Sequence, residues 1–300
     1  MDMTQNKCCR HGANLRRRRR RRRKILRSII FSCSIIAVAV FVAVGSSMIR
    51  SGDGRTNKYD VEAGNNTYDN AVIENSKISE KNKIQNNQSM LDDIMNSTQY
   101  PKQLKDLALK NEEALEFVYD YPAEHVKEHT IDLTGEASMD SVPLFVQWDK
   151  RWGYEKYSGN FFAASGCGPT TLSMVVVFLT HNREASPIAV AKYSKEAGYS
   201  VDGSGSSWTL ISEGCMHYGV KAKAVALDES RMKAELDAGH PIVVNVGPGD
   251  FTDTGHFMVI TGYDDEGFSI NDPNSIEKSG KRWLFRNISS QIRAVWSMYV

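Results

Sequence analysis

The sequence predicts an α+β domain preceded by a single membrane-spanning helix. Residues 28–49 form one uncharged apolar run, and residues 141–300 are dense in aromatic and aliphatic residues. Within 141–300, helical patterns come first and strand patterns follow. This order is typical of α+β domains.

The N-terminal segment is strongly basic. Residues 1–27 contain twelve Lys or Arg and one acidic residue, whereas the whole 300-residue chain carries a formal charge of +1. Residues 28–300 therefore carry a formal net charge of −10. An acidic body argues against nucleic-acid binding, which would rest only on the arginine run at 16–23. We interpret residues 1–27 as a cytoplasmic tail.

The apolar run predicts one membrane crossing. It contains 22 residues, and a helix needs about 20 to cross a bilayer core. Its basic N-terminal flank predicts a cytoplasmic N-terminus and an extracytoplasmic C-terminus in the cell membrane. A cleaved signal peptide is the alternative, because residues 43–45 resemble a cleavage site, although the apolar part of a signal is typically about 7–15 residues.

Three segments follow the apolar run. Residues 50–100 predict a disordered stalk, since residues 51–100 contain nine Asn and neither Trp nor Phe. Residues 101–140 predict a helical lead-in between Pro101 and Pro122, then a polar connector. Residues 141–300 are numerous enough to fold as one domain.

The domain shows helical and strand periodicity in turn. An extended segment is expected at 142–147. Helices are expected at 168–179, 188–196, 208–218 and 229–237. Strands are expected at 241–246, 256–263, 268–271 and 294–299.

Cys167 is a candidate nucleophile. It precedes an apolar helix with Pro169 in its first turn, a position that tolerates proline. Free N–H groups at a helix start favour a thiolate, and the flanking Gly166 and Gly168 would let a substrate backbone approach. The alternative is structural: Cys167 and Cys215 are the two cysteines expected outside the membrane, and they could pair.

His256 is the candidate base and Asp272 its candidate partner. His256 opens a strand, and the turn after Asp264 returns the chain so that Asp272 lies beside it. A carboxylate there would hold the imidazole in one tautomer. A structural histidine and a plain turn at Asp272 are the alternatives. Upstream, the Gln147 side chain could donate to an oxyanion together with the Cys167 N–H.

Two other patterns are weaker candidates. His125 and His129 fit the H-x-x-E-H pattern of some zinc peptidases, but they lie in the polar connector and have no third ligand. The Gly/Ser-rich residues 202–207 follow no clear strand, so a phosphate loop is not expected. Cys215 fits a core position. We expect neither metal nor cofactor.

Taken together, these strings resemble a known family. The order Gln147, Cys167, His256, Asp272 resembles the papain-like cysteine peptidases. The local strings at 142–149, 165–170, 255–259 and 270–274 are similar to the peptidases that trim double-glycine leaders from bacteriocins, and to their domain-only bacterial relatives. The resemblance covers residues 141–300. It implies a papain-like fold with Cys167 as nucleophile, His256 as base, Asp272 as orienting residue and Gln147 in the oxyanion hole.

The resemblance implies a cysteine peptidase acting on peptide or protein substrates. The leader-trimming members are fused to an ATP-driven exporter, but no Gly-x-x-x-x-Gly-Lys motif occurs here. No fused exporter is therefore expected. Amide transfer by a transglutaminase-like enzyme and a catalytically silent peptide-binding domain remain alternatives.

Overall fold

A computed structural model of the protein describes the backbone of residues 66–300 and the side chains of residues 79–300. The predicted tail, the apolar span and residues 50–65 of the predicted stalk lie outside the described residues. Within the part that is described, no helix is both long and apolar enough to cross a membrane.

The described chain is a mixture of short and long elements. The helices are α1 (Asn66–Asn96), α2 (Lys102–Lys110), α3 (Leu115–Tyr119), α4 (Tyr121–Glu124), α5 (Thr134–Ala137), α6 (Phe162–Ser165), α7 (Cys167–Thr180), α8 (Pro187–Glu196), α9 (Thr209–Ser212), α10 (Glu229–Asp237), α11 (Ile276–Ser279) and α12 (Phe285–Ile288). The strands are β1 (Lys156–Tyr157), β2 (Asn160–Phe161), β3 (Ser200–Val201), β4 (Gly205–Ser206), β5 (Lys221–Ala224), β6 (Ile242–Val246), β7 (His256–Asp264), β8 (Gly267–Asn271), β9 (Arg282–Trp283) and β10 (Ile292–Tyr299). Single 3₁₀ turns cover Glu112–Ala114, Gly214–Tyr218 and Ser289–Gln291.

A six-stranded antiparallel sheet forms the centre of the domain. Its strand order is β5-β10-β6-β7-β8-β9. Strand β6 is buried along its whole length, as expected for an apolar strand covered on both faces. Strands β1 and β2, and β3 and β4, form two separate small hairpins.

The sheet is covered by a helix on each face. Helix α7 is apolar nearly all round and shares one buried cluster with Phe257, Val259 and Trp296 of the sheet. Met232 of α10 belongs to a second cluster with alternate residues such as Val244. Because side chains alternate along a strand, the two clusters lie on opposite faces. The mixed helix-and-sheet prediction is confirmed.

The predicted elements differ from the observed ones mainly where glycine intervenes. The helix expected at 208–218 divides into α9 and a 3₁₀ turn that begins at Gly214 and ends before Gly219 at φ +77°. Strand β5, at the sheet edge, was not predicted, because Lys and Ala are uncommon in strands and only the small Ala222 side chain packs against the core.

The predicted disorder of the stalk is wrong for residues 66–96, which form α1. This stretch contains no Gly or Pro, so nothing in it interrupts a helix. Its last turns pack: Ile94 is fully buried, and Met90 and Leu91 contact the same apolar cluster. That burial stabilises a helix whose polar composition alone would not.

The lead-in is helical, as predicted, but it is broken into α2, a 3₁₀ turn, α3 and α4. Its apolar side chains, among them Leu104 and Phe117, pack with Phe161 and Ala163 of the domain. The connector also contributes to the core, because its Leu133 side chain is buried within the cluster that contains α7.

Candidate active site

Cys167 is the first residue of α7, and its side chain is half-buried. The preceding Gly166 makes no side-chain cap, so the first N–H groups of the helix remain available near the sulfur. Packing around the helix start requires glycine on both sides of Cys167. A Cβ on Gly166 would lie 2.6 Å from the Phe162 ring, and one on Gly168 would lie 2.5 Å from Ser206 Oγ.

His256 and Asp272 meet as predicted. The His256 Nε2–Asp272 Oδ1 distance is 2.6 Å, and both residues are buried. The register differs from a count that is symmetric about Asp264, because Asp264 pairs with Gly267 across the turn and an irregularity in β7 then pairs Val259 with Asn271. Asp272 therefore lies one diagonal step from His256 and not directly opposite, a distance that side chains still span.

The carboxylate of Asp272 is tied into its own turn. Its Oδ1 also accepts the Asn274 backbone N–H at 2.8 Å, whereas Oδ2 is buried and makes no hydrogen bond within the described residues. Oδ1 is thus fixed by one backbone donor and holds His256 Nε2. The other ring nitrogen, Nδ1, is left for the thiol.

The thiol and the imidazole stabilise each other's charged forms. Burial alone would raise the pKa of Cys167, but hydrogen bonds from His256 and from the backbone of Phe257 and Gly168 lower it below its usual value. Burial alone would lower the pKa of His256, but the Asp272 carboxylate and the Cys167 sulfur raise it to about 10. Between these two pKa values the pair exists as thiolate and imidazolium.

This pair predicts a specific pH dependence. Because the pKa of Cys167 is lowered, iodoacetamide should modify Cys167 at neutral pH. The alkylation rate should rise with pH, and its midpoint should lie at a lower pH than that of a short cysteine peptide measured alongside. Loss of the His256 proton near pH 10 should then reduce turnover. Peptide mass spectrometry measures the modification site by site. A Cys167 midpoint equal to that of the free peptide would contradict the ion pair.

The Gln147 side chain is buried, and one of its amide N–H groups has a structural role. Its Nε2 donates to the Ala163 carbonyl oxygen at 2.7 Å, its backbone N–H donates to the Pro273 oxygen at 2.7 Å, and Oε1 has no partner among the described atoms. One N–H of the amide is therefore committed to holding the chain before α7. The second N–H is available for another acceptor.

Cys215 does not compete with Cys167. Both are free thiols, so the alternative of a disulfide between them is wrong for this structure. Cys215 lies fully buried in the 3₁₀ turn after α9. Burial raises the pKa of its thiol to about 11, so it is protonated at neutral pH.

Three other histidines have ordinary local partners. His240 pairs with Glu235 at 3.1 Å. His125 contacts the Tyr121 carbonyl oxygen and His129 that of Glu124. Over the described residues, no three His, Cys, Asp or Glu side chains are grouped as metal ligands.

The sequence reasoning missed one donor to the sulfur. The Gly168 N–H belongs to the helix start, where free N–H groups were expected to favour the thiolate, whereas the Phe257 contact comes from the backbone of β7 and no side-chain identity encodes it. The Gly/Ser-rich residues 202–207 form the turn and second strand of the β3–β4 hairpin, which places Ser206 against Gly168.

A buried imidazole between a carboxylate and a helix-start thiol is the arrangement found in enzymes with a cysteine nucleophile. Residues 139–300, more than half of the chain, match the model of the Peptidase_C39 like family. The chain therefore belongs to that family, whose character supports cysteine peptidase activity.

Two solved structures are similar to parts of the chain. One is the peptidase domain of Streptococcus ComA, a bifunctional ABC transporter involved in a quorum sensing pathway. It is 20% identical, with a TM-score of 0.36, over 45% of this chain and 90% of that one. The other, from Bacillus anthracis, is described as a C39-like peptidase. It is 16% identical, with a TM-score of 0.34, over 53% of this chain and 95% of that one. No curated protein matches. The assignment therefore rests on the family model.

Proposed function

We propose that this protein is a cysteine peptidase that hydrolyses peptide or related amide bonds through a thioester. The observation that carries the proposal is the buried His256 ring, which is hydrogen-bonded to Asp272 at 2.6 Å and interacts with the Cys167 thiol. A structural histidine would need neither a thiol partner nor a carboxylate that raises its pKa. Cys167 is the proposed nucleophile, His256 the acid and base, and Asp272 the residue that orients the ring.

The proposed reaction follows from these positions. The Cys167 thiolate attacks the carbonyl carbon, and the carbonyl oxygen becomes an oxyanion. The His256 imidazolium then donates its proton to the leaving nitrogen, the C–N bond breaks, and a thioester remains. Neutral His256 next takes a proton from water as the water oxygen attacks the thioester. The carboxylic acid leaves and the thiolate–imidazolium pair is restored.

The test is a peptide digest with the purified full-length chain. We expect cleavage products that gain one water and that disappear after Cys167 is alkylated. Added primary amines separate two enzyme classes, because a transglutaminase-like transferase would attach the amine to the product in preference to water. Rapid, stoichiometric labelling of Cys167 without turnover of any peptide would instead favour a silent binding domain.

Gln147→Ala tests the proposed oxyanion donor. If the second amide N–H stabilises the oxyanion, kcat should fall about 10²–10³-fold, the usual cost of one such donor. Alkylation of Cys167 forms no oxyanion, so its rate should change little. The lost Ala163 bond should also lower the free energy of unfolding by about 1–3 kcal/mol.

The control for that prediction is Gln103→Ala, which removes an exposed glutamine in α2. Stopped-flow kinetics and thermal unfolding of both variants separate the two roles of Gln147. Near-normal turnover of Gln147→Ala would rule out the oxyanion role, and the proposal would then rest on Cys167, His256 and Asp272.

We also propose that the domain works on the outer face of the cell membrane. The support is the uncharged run at 28–49 with its basic flank on the N-terminal side. Protease added to intact cells should then destroy a C-terminal tag. Full protection of the tag would contradict this location, and substrates would then be sought in the cytoplasm.

A further inference from the structure

The turn that carries Asp272 is held by a segment outside the family match. Residues 272–277 leave β8 and enter α11. The lead-in residues Asn111 and Glu113, more than 20 residues before the match begins at 139, contact this turn directly.

Glu113 caps the helix that ends the turn. Its carboxylate accepts hydrogen bonds from the Ser275 hydroxyl, from the Ile276 backbone N–H at 2.7 Å and from the Glu277 backbone N–H at 3.0 Å. A carboxylate at a helix start satisfies donors that the helix itself leaves free. The turn is therefore anchored at its C-terminal side by one side chain from the lead-in.

Asn111 anchors the middle of the same turn. Its Nδ2 donates to the Asn274 carbonyl oxygen at 2.9 Å and to Asn274 Oδ1 at 3.1 Å. Asn111 Oδ1 accepts the Glu113 backbone N–H at 3.0 Å, so the two lead-in residues are also hydrogen-bonded to each other. Asn274 is also the residue whose N–H donates to Asp272 Oδ1 at 2.8 Å. Two hydrogen bonds thus connect Asn111 to the carboxylate that holds His256.

Attachment of the lead-in does not require these polar contacts. The apolar residues of α2 and α3, among them Leu104 and Phe117, are buried against Phe161 and Ala163. Burying such apolar side chains stabilises the attachment by itself. Asn111 and Glu113 are instead placed where they fix the turn around Asp272.

We propose that Asn111 and Glu113 are positioning residues for Asp272, so that the lead-in segment is part of the active-site architecture. The inference rests on the proposed peptidase function. The coupling between Glu113 and the Cys167–His256 pair can nevertheless be measured without a substrate. A displacement of about 1 Å at a catalytic group can reduce a rate about 10²-fold.

The expected result for Glu113→Ala in the full-length protein is a fall in kcat of about 10- to 100-fold with little change in KM. The pH midpoint of Cys167 alkylation should rise, because a loosened Asp272 no longer stabilises the imidazolium beside the thiolate. Glu113→Gln keeps one acceptor for the backbone N–H groups and should lie between wild type and Glu113→Ala.

The direction in which the alkylation midpoint shifts distinguishes a loss of positioning from a simple loss of charge. Removing a negative charge near the site, by itself, would stabilise the thiolate and lower the midpoint. Glu116→Ala is the matched control, since it removes an exposed carboxylate of the neighbouring helix α3. This control should leave kcat unchanged and should not raise the midpoint.

A double-mutant cycle completes the test. In the Asp272→Ala variant, adding Glu113→Ala should have no further effect on kcat or on the alkylation midpoint. Additive losses, or an unchanged midpoint in a folded Glu113→Ala, would overturn the proposal. If wild type cleaved no peptide, the proposed function would fail, whereas the alkylation arm would still decide the positioning role.

Discussion

Replacing Cys167 by alanine should abolish peptide hydrolysis, with a loss on the order of 10⁶-fold in kcat, as when the nucleophile of a catalytic triad is removed. No other thiol in the described domain can substitute, because Cys215 is fully buried and its pKa is raised to about 11. The measurement is product formation from the best peptide of the digest. Binding of that peptide should persist, since the side chain removed is small.

Cys215→Ala is the matched control for this experiment. It removes a thiol from the buried core and should destabilise the fold modestly while leaving most turnover intact. The prediction would be wrong if Cys215→Ala abolished turnover in a folded protein, or if iodoacetamide modified Cys215 before Cys167. Either result would indicate that Cys215, in the 3₁₀ turn after α9, is the nucleophile.

Asp272→Ala should lower kcat about 10³–10⁴-fold, because the imidazole loses both its fixed tautomer and the charge that favours the imidazolium. KM should change little, since Asp272 is fully buried and cannot contact a substrate directly. Asp272→Asn should be milder. Its amide oxygen can still accept from His256 Nε2, so orientation is kept while the charge is lost. Full kinetics of both variants separate these contributions.

Asp264→Ala is the control on the same hairpin. Asp264 lies at the exposed turn between β7 and β8 and pairs with Arg282 at the surface, where such a pair contributes little. His240→Ala should likewise be far milder than His256→Ala, because His240 bonds Glu235 at the start of β6. Equal losses from the two histidines, or a large loss from Asp264→Ala, would contradict the assigned roles.

The main elements of the domain could be predicted because their signals are local. Helix α7 begins at Cys167 because Gly166 and Pro169 mark a helix start, and the β7–β8 hairpin follows from two apolar runs around the turn after Asp264. The contact between His256 and Asp272 was predicted from that hairpin, although the irregularity in β7 shifts the register. Such a bulge leaves little trace in a single sequence.

The parts that were not predicted depend on distant contacts. Residues 66–96 look too polar to fold, and Ile94 is buried only because the lead-in packs on it. Asn111 and Glu113 resemble ordinary polar residues of a helical segment. Their role depends on Asn274 and Ile276, which lie more than 160 residues further along the chain. Only the folded structure brings such pairs together.

The placement of the three proposed catalytic residues along the chain has a consequence for folding. His256 and Asp272 are 16 residues apart on one hairpin, whereas Cys167 lies 89 residues before His256. A hairpin closes a short loop and forms quickly, but docking α7 on the sheet closes a long one. The histidine–aspartate pair can therefore assemble while the thiol is still undocked and of ordinary acidity. A chain emerging from synthesis would therefore acquire its acidic thiol only as the domain completes its packing.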